Sequence, residues 1–250
     1  MVKVLLLGGH GKVALKLTSL LTANGHTVKS IIRNTDHALE IQSISAHVTP
    51  IVSSIEEATN ESAEALMEGC EWVVWSAGAG GKGGEQRTKA VDEDGAKKFI
   101  AAAIRSNSVK RFLMVSASCC RRKPASWYTE KDIEIYNRAW SVIGNYCRAK
   151  CAADEYLYHE SRVTKKQDFE DICLRPGTLT DEPGTGKVDL GKSSAGSVSR
   201  EDVARVALEL LERGGAGGLW LDLATGNEGI KEAVERCVKE RVTSREVEEP

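Results

Sequence analysis

Near its N-terminus the chain runs Val4-Leu5-Leu6-Leu7 into Gly8-Gly9-His10-Gly11-Lys12, and an amphipathic stretch follows at once. This junction constrains the fold more than any other feature. An apolar run of this length reads as a buried strand, and the glycines let the backbone turn sharply into a helix. The start of such a helix carries unsatisfied N–H groups and the positive end of the helix dipole, which favours a phosphate. Gly8 and Gly11 are three apart and Ala14 follows three later, a G-x-x-G-x-x-A spacing that suits close approach of a pyrophosphate. Gly8, Gly9, His10, Gly11, Lys12 and Val13 are therefore candidate cofactor-binding residues.

Short apolar runs alternate with amphipathic stretches along the rest of the chain, the pattern of parallel β-α units. Strands are expected at 2–7, 27–32, 46–52, 71–76, 111–116, 170–175 and 219–223. Helices are expected at 12–23, 91–105, 136–160 and 201–212. No internal repeat and no Pro- or Ser-rich linker divides the 250 residues. The expected architecture is one α/β domain, a Rossmann-type, doubly wound, mainly parallel sheet with helices on both faces. It would span 1–242, including a small C-terminal substrate-side region, with 243–250 as a frayed polar tail.

The second expected strand ends in Ile32-Arg33-Asn34. A site for NAD usually places a carboxylate here for the ribose hydroxyls, and an acid would repel a 2′-phosphate. Arg33 can instead pair with one through its guanidinium fork. The expected cofactor is NADP(H) in preference to NAD(H), with Arg33 and Asn34 on its adenosine side.

Composition narrows the partners. Lys and Arg (34) nearly balance Asp and Glu (36), for a formal charge of -2, so the basic footprint of a nucleic-acid-binding domain is missing. Arg121-Arg122-Lys123 and Lys165-Lys166 read as solvated loops. The first apolar run is too short for a signal-peptide core or a membrane span. Seven cysteines form no paired ligand spacing, and the five histidines are scattered, so no metal is assigned. Reduced thiols, a cytoplasmic location, a small-molecule substrate and a monomer or weak homodimer are the expectations.

The turn at 8–14, the segment Ser76-Ala77-Gly78-Ala79-Gly80-Gly81-Lys82-Gly83 and Val91-Asp92-Glu93-Asp94-Gly95 together resemble the atypical short-chain dehydrogenase/reductases. Arg175-Pro176-Gly177-Thr178-Leu179-Thr180 and Ser199-Arg200-Glu201-Asp202-Val203-Ala204 extend the resemblance over nearly the whole chain. Within that superfamily the likeness is to the NAD(P)H-binding, NmrA-like branch. The resemblance implies that Gly8, His10, Gly11, Lys12 and Val13 hold the pyrophosphate and that Arg33 meets the 2′-phosphate. It places Ser76, Ala77 and Gly78 beside the adenosine ribose and Pro176, Gly177 and Thr178 near the nicotinamide. The chain departs from the pattern at His10, where Thr or Ser is frequent, and at Ala14, where Gly is common. It departs again at Ser53-Ser54, where relatives often carry an adenine-binding Asp; Ser54 is the candidate in its place.

Tyr146 and Lys150 are four apart within an expected helix, so both side chains can reach one pocket. In the short-chain dehydrogenase scheme the tyrosine donates a proton as hydride arrives, and the lysine lowers its pKa and binds the nicotinamide ribose. A serine after the fifth strand anchors the substrate oxygen. Ser118 is the better match by its offset from the strand, and Ser116 is the alternative. Trp127, Tyr128, Tyr136 and Trp140 concentrate aromatic surface nearby, as a substrate wall or as a patch that closes the fold or a dimer contact. Three functions fit these residues: an NADPH-dependent reductase of a small carbonyl or conjugated compound, a non-enzymatic NADP(H) sensor, or a non-redox isomerase or cyclase.

Overall fold

In the computed structural model, residues 1–80 and 83–246 are described. The chain opens with β1 (Lys3–Leu7), α1 (Lys12–Ala23), β2 (Thr27–Ile32), α2 (Ala38–Ile44), β3 (Val48–Val52), α3 (Asn60–Met67) and β4 (Trp72–Trp75). A five-residue α4 (Gly84–Thr88) runs through a π-helical segment, Lys89–Gly95, into α5 (Ala96–Arg105). Then come β5 (Arg111–Val115), the 35-residue α6 (Glu130–Thr164), β6 (Glu170–Pro176), β7 (Thr178–Thr180), β8 (Lys187–Gly191) and β9 (Ser197–Ser199). The last elements are α7 (Arg200–Arg213), β10 (Trp220–Thr225), β11 (Glu228–Gly229) and α8 (Ile230–Glu240).

Nine strands form one sheet in the order β11-β8-β10-β6-β5-β4-β1-β2-β3, parallel from β3 to β10. At the far edge β8 pairs antiparallel with β10 and with β11. The central strands carry unbroken apolar runs, Val4–Leu7 in β1, Trp72–Trp75 in β4 and Phe112–Val115 in β5, because both faces are covered. Val4 and Leu6 of β1 point into one core with Leu17 of α1 and Val203 and Leu210 of α7. Leu5 and Leu7 point into the other with Met67 of α3, Phe99 of α5 and Leu157 of α6. Trp72 and Trp75 divide between the two faces in the same way, and both are core.

Strand order reverses between β1 and β4, which opens a crevice beyond their C-terminal ends. In open α/β sheets ligands bind at such a switch point. Gly8 leaves β1 and Ser76 leaves β4 at this crevice.

The chain differs from the sequence expectation in identifiable ways. The helix expected at 136–160 begins earlier, because Thr129 and Asp132 form a reciprocal capping box ahead of it. It is bent at Ile143, whose φ/ψ of -124°/32° leaves the helical region. The stretch expected as a helix from 91 starts as a π-helix, which carries one extra residue per turn. The segment expected as a frayed tail is packed in its described part. Ser244 is fully buried, its hydroxyl donates to Asp222 at 2.9 Å, and its carbonyl accepts from Arg121 at 2.6 Å. Residues 247–250 of that expected tail lie outside the described residues.

Candidate functional site

The turn after β1 is shaped to approach a ligand closely. Gly8 has φ +79°, and a Cβ there would come within 2.6 Å of Ala77 Cα. The Gly11 N–H closes the turn onto the Gly8 carbonyl at 2.8 Å, and Gly11 then caps α1 with no side-chain hydrogen bond. The first N–H groups of α1 thus lack a side-chain acceptor at the crevice, an arrangement that suits an anion.

A cavity of about 250 Å³ opens from this turn. Gly8, His10, Gly11, Arg33, Ser54, Ser76, Ala77 and Gly78 all line it, so eight of the sequence candidates meet there. The His10 ring stacks on His37 with centroids 3.5 Å apart, and its Nε2 lies 2.8 Å from Glu40. Ser53, from the Ser53-Ser54 pair, lines the same cavity, and so do Glu56, Arg87 and His37, to which the sequence assigns no role. Arg87, paired with Glu56 at 2.9 Å, comes from α4, a helix too short to leave a periodic signal.

Four candidates lie elsewhere. Gly9 packs against β2, where a Cβ would sit 1.9 Å from Ser30 Oγ, and its N–H donates to Ile31. Val13 is buried in the core. Asn34 caps the short 3-10 turn Thr35–His37 by accepting from the Asp36 N–H. Lys12 reaches across the crevice mouth to Asp181 at 2.5 Å, and Asp181 also accepts from Arg200 at 2.8 Å. Gly81 and Lys82, part of the segment after β4, lie outside the described residues.

A second cavity of about 250 Å³ opens beyond the ends of β5 and β6. Ser116, Ser118, Tyr146, Pro176, Gly177 and Thr178 line it together with Cys119, Tyr128 and Tyr136. Tyr128 and Tyr136 therefore form part of its wall, whereas Trp127 and Trp140 use their indole N–H groups to hold Ser193 and Cys119 carbonyls. Gly177 is required where β6 passes Gly196, whose carbonyl oxygen would lie 2.1 Å from an added Cβ. The turn at Pro183–Gly186 is tied down. The N–H groups of Thr185 and Gly186 donate to Asp202, and that of Gly184 to Glu201.

Lys150 connects the two cavities from below. Its ammonium donates to the carbonyls of Ala77, at 3.4 Å, and Val115, at 3.2 Å. Ala77 belongs to the first cavity, and Val115 precedes Ser116 of the second. Asp92, carried by the π-helical segment and fully buried, places one oxygen 3.8 Å from Lys150 and accepts from the Ala79 N–H at 3.0 Å with the other. Burial raises the Asp92 carboxyl, with Lys150 and the Ala79 N–H opposing.

Protonation separates the candidate acids. Burial pushes the Tyr146 phenol well above its ordinary value, reinforced by nearby Cys120, Asp92, Cys119 and Asp154. The lowering of this phenol expected from the lysine is not what the surroundings produce, because desolvation and the neighbouring thiols and carboxylates all raise it. Ser116 donates to the buried Asp154 at 2.5 Å, so its hydroxyl is already committed. Burial lifts Asp154 from 3.8 to about 6, against the pull of Arg175 and Ser116. Among the described residues Ser118 carries no such carboxylate tie, and its carbonyl accepts from Tyr128 at 3.4 Å. Asp92 lies in the Val91–Gly95 motif but is given no role there by the sequence, and Asp154 carries no motif at all, since nothing in an Asp itself announces that the fold will bury it.

Comparison with known proteins adds the family. Residues 8–213 match the NAD(P)H-binding family. The chain belongs to it. The UPF0659 protein C216.03 of Schizosaccharomyces pombe is 39% identical over 233 residues, covering 91% of each chain. YhfK of Bacillus subtilis, named as an uncharacterized sugar epimerase, is 32% identical over 238 residues, 94% of this chain and 99% of that one. Among solved structures, one from Bacillus halodurans, named for an NAD-dependent epimerase/dehydratase, superposes with a TM-score of 0.78 at 28% identity. It covers 94% of this chain and 100% of its own. A Veillonella parvula short-chain dehydrogenase/reductase solved with NADP shares the fold at 18% identity, with a TM-score of 0.68 over 92% of this chain and 97% of its own. The family is thus that of the NAD(P)H-binding proteins, with the expected Rossmann-like single-domain fold. Among the described residues no helix is long and apolar enough to cross a membrane.

Proposed function

We propose that the protein is an NADPH-dependent reductase of small carbonyl or conjugated organic compounds. One observation carries the reading. Tyr146 stands on the wall of an otherwise largely apolar cavity, four residues from a lysine that joins this cavity to the nucleotide crevice. A general acid must hold its proton at working pH and release it only to a developing alkoxide or enolate.

The glycine cradle and the uncapped start of α1 fit a dinucleotide, whose pyrophosphate they would hold. Arg33 and Arg87 would meet the 2′-phosphate, Ser76 to Gly78 the adenosine side, and Pro176 to Thr178 the nicotinamide end. NADPH, when bound, supplies hydride. Tyr146 donates the proton to the substrate oxygen, Ser118 hydrogen-bonds that oxygen, and Lys150 with Asp92 fixes the floor between the cavities. Ile135, Ala139, Ile143 and Leu179 exclude water and favour an apolar substrate. The same reading has the chain working in the cytoplasm on a small molecule, as a monomer or weak homodimer.

The name carried by YhfK favours a second reading, an epimerase that recycles its nucleotide. The apolar wall suits a polyhydroxylated sugar poorly, which ranks this reading second.

The test is a titration with NADPH and NADH, followed by NADPH oxidation over aldehydes, ketones, quinones and enones. NADPH should bind at least about tenfold tighter than NADH, and Arg33→Ala should erase most of that preference, as expected for a charge-assisted bond to phosphate. Turnover should fall by about 100-fold or more in Tyr146→Phe. Tight binding without net NADPH consumption would favour the epimerase, and equal affinity for both nucleotides would remove the assignment to NADP.

A further inference from the structure

The sequence offers no metal-ligand spacing, yet the fold brings the adjacent Cys119 and Cys120 together with the distant Cys147. Cys119 and Cys120 lie in the loop after β5, and Cys147 lies on α6. Their Sγ atoms all fall within 4.8 Å of one another, and Cys119 and Cys147 are 4.0 Å apart. We propose that these three cysteines form a trithiolate site for a soft monovalent cation, Cu(I).

The spacing is close to that of a loaded site. Metal–thiolate bonds of about 2.3 Å in a trigonal plane put the sulfurs roughly 4.0 Å apart. Small side-chain adjustments would therefore seat an ion among them. Thiolates select Cu(I) by softness. Among the described residues no histidine or carboxylate joins the group, so a tetrahedral zinc site would lack a fourth protein ligand. Ala117, Trp140 and Tyr146 pack around the sulfurs, and Cys120 and Cys147 are fully buried. Such a dry sulfur pocket suits a cation that is content with three ligands.

The loop that carries two of the ligands is held rigidly. The carbonyls of Cys119, Cys120 and Arg121 accept in turn from Trp140 at 3.0 Å, Arg175 at 2.5 Å and Tyr136 at 3.0 Å. Preorganisation of this kind is what a binding site needs and what a chance cluster of thiols lacks. Cys119 is half-buried on the wall of the second cavity, which gives an ion its way in. Three Cu–S bonds form as three S–H protons pass to solvent, and copper stays monovalent throughout. The guanidinium of Arg175, beside Cys120, offsets part of the resulting negative charge.

The test is an anaerobic Cu(I) titration of the reduced full chain against bicinchoninate as competing chelator, with X-ray absorption on the loaded protein. One Cu(I) per chain with three sulfur neighbours is expected. Cys119→Ser, Cys120→Ser and Cys147→Ser should each weaken binding by about 100-fold or more. Cys151→Ser, one turn along α6, and Cys237→Ser, whose sulfur meets the Leu190 carbonyl, should leave it unchanged. Thermal melts identify any variant that fails to fold, and the sulfur count of the wild-type protein decides the matter without variants. Two or fewer sulfur neighbours, an affinity indifferent to Cys119→Ser and Cys147→Ser, or tighter binding of Zn(II) than of Cu(I) would overturn the proposal.

Discussion

At Gly8 the backbone sits at φ +79° with Ala77 against it, so two separate penalties attach to any side chain there. A non-glycine residue in the left-handed region costs about 1 kcal/mol or more, and the clash forces the turn away from β4. Gly8→Ala should therefore weaken NADPH binding by at least about tenfold, read by fluorescence titration. An unchanged dissociation constant would mean that the pyrophosphate does not lie on this turn. Asp154 shows a different single-residue effect, on pH dependence. Its carboxyl is raised from 3.8 to about 6, mainly by burial, so between those values the folded chain holds a proton that the unfolded chain has lost. Its contribution to stability must then fall as pH rises from about 4 to about 6, by about 3 kcal/mol, and stay flat above. Asp154→Asn keeps an acceptor for Ser116 but does not titrate. Urea unfolding at pH 4.5 and 7 should show the variant gaining on the parent as pH rises, whereas parallel profiles would remove Asp154 from the titration.

The helices and strands that carry chemistry differ in how openly the sequence announces them. The strands β1, β2, β4, β5 and β6 were legible because burial on both faces demands unbroken apolar runs such as Trp72-Val73-Val74-Trp75. Helix α1 was legible to its ends, between Gly11 and Asn24. Helix α8, whose buried face is marked by Ala233, Val234 and Cys237, is less legible, because it lies beyond the last strong strand signal. The short β7, β8, β9 and β11 depend on partners far along the chain and carry no periodicity of their own. Tyr146 and Lys150 could be found by spacing; Asp92 could not, since only a π-helical segment turns it beneath Lys150. That segment yields a prediction at its own scale. Asp92→Asn leaves the Lys150 ammonium without its carboxylate in a buried place, and breaking such a pair costs about 3–5 kcal/mol. In a chain of this size the melting temperature should fall by about 10 °C, and turnover should drop with it. The exposed Asp36→Asn is the control, and a melting point equal to that control would show Asp92 to be dispensable to the floor of the site.

For the molecule as a whole, the alternation of strand and helix made the parallel sheet predictable, but not the way its far end is closed. Beyond β10 the chain turns back over the sheet through α8, and residues 243–246 return to the neighbourhood of the second cavity. Thr243 Oγ1 accepts from the Trp220 N–H at 3.2 Å, and the Ser244 N–H donates to the Trp220 carbonyl at 2.7 Å. Ser244 then joins the buried ion pair of Arg121 with Asp222, which are 3.0 Å apart. The Arg245 guanidinium lies 3.9 Å over the Tyr158 ring. Ser244 is thus buried with its N–H, carbonyl and hydroxyl all partnered, a circumstance that composition alone cannot reveal. Arg121 directly follows Cys120, so the closing segment also braces the loop that walls the second cavity. Truncation after Val242 should therefore do two things at once. It should lower stability by about 3–5 kcal/mol, as expected when a buried charge network loses a member, and it should reduce NADPH turnover more than NADPH affinity. Ser244→Ala should show a smaller loss of the same kind. If the truncated chain melts with the parent, the segment merely lies on the surface it covers; if it melts early but keeps full turnover, the cavity wall stands without it.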